Sequence, residues 1–262
     1  MKALYESLLD DFEKLKDSTN PINEIKHFLG DNYLHPDKLK ISKEPNKDGY
    51  YEVDCTNYAY VEVKNKEIES LTNGLFEFIN VRGFNCIRCN NLITLKGSPK
   101  EVKGAFDCSC CNKLTTLEGA PEKVGIFCCF DCNNLTSLKG APKEIKSSFD
   151  CSYCSNLTTL EDAPKKCQSF NCRGCNNLTS LKGAPDKVGN AFDCSCCKNL
   201  TSLEGAPEKV TGNFICAYCE SLTSLEGAPK EVGRKFDCVC RTISFTEQDV
   251  KDVCRVKGEI LV

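Results

Sequence analysis

The sequence predicts a β-rich repeat solenoid with a parallel sheet along one face and extended Gly-Ala-Pro returns. A small α+β cap region precedes it and a short helical cap follows. Three observations carry this reading. A unit beginning at phenylalanine recurs at Phe84, Phe106, Phe127, Phe149, Phe170, Phe192 and Phe214, with a truncated copy at Phe236, at intervals of 21 or 22 residues. Counted from that Phe, apolar residues or cysteines return at offsets 2, 5, 8, 11 and 18. Proline stands at offset 15 behind two small residues, as in Gly119-Ala120-Pro121.

No helix has that spacing. Offsets 0 and 2 alternate as a short strand does, and Gly-Ala-Pro removes a backbone donor and breaks any helix on the return. Each unit therefore reads as a strand, a turn, an L-x-x-L segment and an extended return. One such coil cannot bury its inner face alone, so the coils must stack. The one-residue variation falls between the Val position and the next Phe, where a loop is expected. L-T-S-L could carry a second parallel ribbon.

The elements divide the chain into residues 1–59, a helical and strand cap region; 60–83, a degenerate capping repeat; 84–243, the solenoid; and 244–262, a C-terminal cap. In the first region Leu4, Leu8, Phe12 and Leu15 recur at helical spacing. Asn20-Pro21 reads as the start of a second helix carrying Ile22, Ile25, Phe28 and Leu29 and stopped by Gly30. These stripes pack on the solenoid or serve a partner. Tyr50 to Val53 and Tyr58 to Val63 read as strands, and Ile68 and Leu71 echo L-x-x-L. At the far end Thr246 to Asp249 can cap a helix bearing Val250 and Val253.

Composition limits the function classes. The formal charge of -3 argues against a general binder of phosphate backbones. The opening stretch MKALYESLLDDFEKL is interrupted by acids where a leader would need an apolar run, and no run of ~18 apolar residues occurs. A cytoplasmic protein with no membrane and no nucleic acid among its partners is therefore expected, and its 22 cysteines are expected to be reduced.

Fourteen of those cysteines form seven C-x-x-C pairs at offsets 2 and 5: Cys86/Cys89, Cys108/Cys111, Cys129/Cys132, Cys151/Cys154, Cys172/Cys175, Cys194/Cys197 and Cys216/Cys219. By spacing alone, two neighbouring pairs match a zinc-ribbon template, but the repeat period generates that spacing without metal. At offset 18 Cys167 replaces the Val or Ile of the other copies, so cysteine acts there as a small hydrophobe. Stacked strands lie ~4.8 Å apart, whereas disulfide Cβ atoms need ~3.5–4.5 Å, so bridging every rung would pinch the stack. A structural cysteine ladder is expected, with no metal and no cofactor. The alternative is a thiolate metal-binding or redox-handling protein. Cys110, Cys196 and Cys240 at offset 4 and Cys128 at offset 1 are expected to face outward and to be the thiols open to metal or oxidation. With His27 and His35 outside the array, no Cys-His pair, paired carboxylates or phosphate loop suggests an enzyme.

Two rows remain. Offset 12 runs Lys96, Glu118, Lys139, Glu161, Lys182, Glu204 and Glu226, alternating in sign until the last step, which predicts an exposed ladder of ion pairs that fixes register. Offsets 1 and 3 are expected on the outer, concave side of the sheet as an acidic, hydroxyl-rich stripe including Ser109, Ser152 and Ser195. The candidate binding surface drawn from it and from offset 4 is Asp107, Phe130, Asp150, Tyr153, Asp193, Tyr218 and Asp237.

Val124 to Leu135, V-G-I-F-C-C-F-D-C-N-N-L, resembles the L-x-x-L-x-L-x-x-(N/C)-x-L signature of leucine-rich repeats. The L-T-S-L-E-G-A-P-K-E-V half is similar to short bacterial repeats of that family, and it resembles segments of leucine-rich repeat proteins of gut bacteria and their phages. The resemblance covers residues 60 to 243, about 70% of the chain. The unit departs from the signature by one extra residue between the second Cys and Leu, and by cysteine in both the inward aliphatic and the Asn-ladder slots. The resemblance implies a non-enzymatic scaffold for a protein partner, bound through the strand face. It names neither that partner nor an oligomeric state.

Overall fold

The computed structural model describes residues 20–33 and 39–262, so the stripe from Leu4 to Leu15, and His35, lie outside the described residues. The first element among the described residues is α1 (Pro21–Asn32), whose N-cap Asn20 accepts the Ile22 N–H at 3.0 Å. It does not stop at Gly30. The helix runs one half-turn further, where the Tyr33 N–H closes on the Leu29 carbonyl and the Asn32 amide on that of Phe28. Ile25 and Leu29 are buried by this stretch, which packs on the solenoid end through Phe28 and Tyr33.

β1 (Lys40–Ile41), β2 (Tyr51–Asp54), β3 (Val61–Glu62) and β4 (Phe76–Ile79) follow. β1, β2 and β4 make a small sheet, antiparallel then parallel, while β3 joins the main one. The strand expected over Tyr58 to Val63 is thus shorter than its pattern.

The main sheet continues with β5 (Phe84–Asn85), β6 (Glu101–Asp107), β7 (Lys123–Cys128), β8 (Glu144–Asp150), β9 (Lys166–Asn171) and β10 (Lys187–Asp193). Each later rung is split in two: β11 (Lys209–Val210) with β12 (Asn213–Ile215), then β13 (Glu231–Val232) with β14 (Phe236–Asp237). After α2 (Glu247–Val253) come β15 (Arg255–Val256) and β16 (Ile260–Leu261). The pairs between rungs are parallel, and the described residues form a β-solenoid of about ten turns with few helices.

No loop separates the Val and Phe positions in the central coils. The strand runs through, and a register shift between Val102 and Ala105, repeated between Val124 and Ile126, absorbs the extra residue as a bulge. The Gly of Gly-Ala-Pro turns the chain at φ near +90°, as at Gly119, where a Cβ would stand 2.4 Å from the Lys96 nitrogen. At Asp162, which replaces that glycine in one coil, φ is still +68°.

Identical residues stack because the rungs are in register. Phe106, Phe127, Phe149 and Phe170 form a buried column with ring centroids 5.4–5.5 Å apart and planes within 14°. Such pairs contribute ~0.5–1.5 kcal/mol each beyond the area they bury. The two leucines of each L-x-x-L form inner columns of their own. Their arm is tied from coil to coil by single bonds such as Thr158 N–H to the Thr136 carbonyl, 3.1 Å, without becoming a strand.

At the C terminus Thr246 and Asp249 form the expected capping box, and Val250 is buried, but Val253 is left partly exposed. The stack does not end on this helix. β15 and β16 return to pair with β13 and β14, placing Val256 on Val232 and Ile260 on Phe236. The helix replaces the L-x-x-L arm of the last coil.

Candidate functional site

All 22 cysteines are free thiols, eighteen buried and four half-buried. The offset-5 thiols do more than fill space. Cys111, Cys132, Cys154, Cys175, Cys197 and Cys219 each donate to the carbonyl of the offset-2 cysteine one coil back, at 3.1–3.2 Å. Cysteine thus does the hydrogen-bonding work of an asparagine ladder, satisfying a buried carbonyl that has little access to water. The offset-2 thiols of Cys108, Cys151 and Cys194 point the other way, to carbonyls of the next coil.

Burial and neighbouring thiols hold the offset-2 row protonated. The Cys86 pKa is raised well above its ordinary value by the hydrogen bond with the Cys111 thiol and by desolvation, and desolvation leads at Cys108, Cys151 and Cys194. Cys55 and Cys167 are pushed up to about 12 by burial. Cys240 differs. Burial opposes ionisation there, but hydrogen bonds from the Thr242 hydroxyl and from the backbone of residues 241–243 outweigh it and lower the pKa. Among the described residues, no three His, Cys, Asp or Glu side chains are grouped to hold a metal ion.

The structure changes the outward stripe. The strand ends at offset 1, so strict alternation does not carry on to offset 3. The Asp107 carboxylate accepts both the Ser109 N–H, at 3.0 Å, and the Ser109 hydroxyl, at 2.6 Å. Asp150 with Ser152 and Asp193 with Ser195 repeat this, while Asp237 accepts the Val239 N–H and the Lys235 ammonium. The serines are consequently buried rather than displayed, and the aspartates are committed to capping turns. Cys128, in the same row, is no open thiol: its sulfur lies 3.0 Å from the Ser109 hydroxyl and burial raises its pKa to about 11. The expected offset-12 ladder is partial, with Glu118–Lys139 at 2.8 Å and Lys182–Glu204 at 3.2 Å in contact.

What stands out is offset 4. In every full coil this residue adopts the left-handed conformation: Arg88, Cys110, Asp131, Tyr153, Gly174, Cys196 and Tyr218, with φ between +56° and +68°. Tyr153 and Tyr218 are 44% and 43% exposed. The Tyr153 ring meets Phe130 edge-on at 5.5 Å and lies over Gly174, where a Cβ would come within 2.9 Å of it. Its hydroxyl accepts the Arg173 Nε–H at 3.2 Å. Phe130, Tyr153 and Arg173 therefore form one aromatic and cationic patch on the turn row, with Tyr218 further along it. Arg173 and the left-handed turn could have been suspected from Gly174 alone, the one glycine at offset 4.

Fold and site together define a β-solenoid of short coils with phenylalanine and cysteine ladders inside and a row of left-handed turn residues outside. No protein-family model, curated protein or solved structure matches the chain. No helix among the described residues is long and apolar enough to cross a membrane.

Proposed function

We propose that the protein is a non-enzymatic binding scaffold of the leucine-rich-repeat type that recognises a protein partner through its turn row, in a reducing compartment such as the cytoplasm. The observation that carries this is the backbone of Tyr153 and Tyr218. A bulky residue at positive φ is destabilising by ~1 kcal/mol or more, and a glycine serves the same turn at Gly174. Tyr218 is held at that angle while 43% exposed. Exposed tyrosines, with an arginine beside Tyr153, are residue types enriched at protein interfaces. The reading moves the candidate surface from the aspartates, which cap turns, to Phe130, Tyr153, Arg173 and Tyr218.

The test is capture of partners from a lysate of the source cell by the intact protein and by a Tyr153→Ser/Tyr218→Ser variant of unchanged circular dichroism. Loss of specific partners from the variant supports the reading. An identical set of partners contradicts it.

A further inference from the structure

A cavity of about 520 Å3 opens over the first halves of β8, β9 and β10, at the opposite end of the strands from the turn row. It lies where the sheet is unzipped. β8 pairs with β9 only from Ser148/Ser169 to Asp150/Asn171, whereas β7 pairs with β8 from Lys123/Glu144 and β9 with β10 from Lys166/Lys187. Ile145 and Cys167, on the two sides of the gap, are 9% and 7% exposed, while the other members of their inward column are at 2% or below. With Val188 they form an apolar floor.

The rim is charged in an unusual order. The offset-17 residues face one another on adjacent strands, and Glu101, Lys123 and Glu144 alternate in sign, as do Glu231 and Arg255 at the far end. Between them Lys166, Lys187 and Lys209 stand in direct register. Like charges so placed repel, and here they sit on the cavity with Lys146. Two carboxylates share the rim, but Glu208 is held by Lys230 at 2.7 Å, leaving Asp186 to face the lysines. Lys209 is paired with Glu231 at 3.0 Å; Lys146, Lys166 and Lys187 have no ion-pair partner among the described residues.

We propose that this cavity binds an acidic peptide segment in extended conformation. Its carboxylates neutralise Lys166 and Lys187, an aliphatic side chain rests on Ile145, Cys167 and Val188, and its main chain pairs with the strand halves left unpaired at the gap. Charge complementarity selects an anion, and the apolar floor selects one carrying aliphatic groups. No lining residue is aromatic, so a single-stranded nucleic acid would find nothing to stack on.

The experiment is fluorescence anisotropy with the full chain and a fluorescein-labelled Glu-Leu-Glu-Leu-Glu-Leu peptide, beside a Lys-Leu counterpart and an oligo-dT. Wild type is expected to bind the acidic peptide selectively, and Lys187→Glu to weaken it at least ~10-fold. The same substitution restores alternating charge along the row, so its Tm is expected to rise while its affinity falls. Lys166→Gln gives a milder loss and a second folded variant. Tyr218→Gly leaves peptide affinity unchanged, which separates this site from the turn row. Absence of acidic-peptide binding, equal binding by Lys187→Glu, or preference for the oligonucleotide would overturn the proposal.

Discussion

The thiol of Cys132 donates to the backbone carbonyl of Cys108 at 3.2 Å, one coil below it. That contact, repeated along the stack, explains why cysteine rather than valine fills the second inward slot. Cys132→Ala removes the donor and leaves a small void, and is expected to destabilise the fold by about 1–3 kcal/mol. Urea denaturation measures it. A cost indistinguishable from zero would mean that the thiol is only filler.

The phenylalanine column makes a positional claim. Phe149 stacks between Phe127 at 5.5 Å and Phe170 at 5.4 Å, whereas Phe236 at the end is tilted 44° from Phe214. Phe149→Ala is expected to cost about 3–5 kcal/mol, and Phe236→Ala clearly less. Equal losses in thermal unfolding would show that the column has no favoured middle.

Two turn substitutions should act in opposite directions. Gly119→Ala drives a Cβ into the Lys96 backbone and should destabilise by at least ~2 kcal/mol. Asp162→Gly relieves a side chain held at φ +68° and should stabilise by about 1 kcal/mol. Chemical denaturation of the pair checks both signs at once.

Alkaline pH should unfold the protein through its thiols. Cys55, Cys89 and Cys167 carry folded pKa values of about 12 against an ordinary value of 9.0. The folded state therefore keeps protons that the unfolded chain releases above pH ~9, and stability falls as pH rises from there through the folded values. Below pH ~9 these groups contribute no slope. Stability measured from pH 7 to 11 should be flat at first and then decline; a rise above pH 9 would contradict the burial of the ladder.

How much was legible follows from what recurs. Phe, Cys, Leu and Val occupy inner columns because a parallel stack in register places the same offset at the same depth, so one coil read correctly gives the rest. Offset 4 reads as outward, with Tyr153 and Tyr218 on the surface, but its left-handed angle is not legible because Arg88, Cys110, Asp131, Tyr153 and Gly174 share no side-chain chemistry. Strict alternation predicts Ser109 outside, but the strand ends two residues before it and its hydroxyl is bound to Asp107. The last rung is not legible because Ile260 stands in the Phe slot without a cysteine after it. The three-lysine run is legible in the sequence, where Lys166, Lys187 and Lys209 follow one another at offset 17 of successive units.

The central claim is that the cysteines are packed, reduced ladder residues, and mapping of alkylation in the native protein tests it most directly. With iodoacetamide at pH 8 and peptide mass spectrometry, Cys240, which is half-buried and has a lowered pKa, is expected to react first. The inward pairs from Cys86/Cys89 to Cys216/Cys219 should be labelled only after denaturation, and then as free thiols. Inward cysteines recovered as disulfides, held by metal, or labelled as fast as Cys240 in the folded protein would contradict the account.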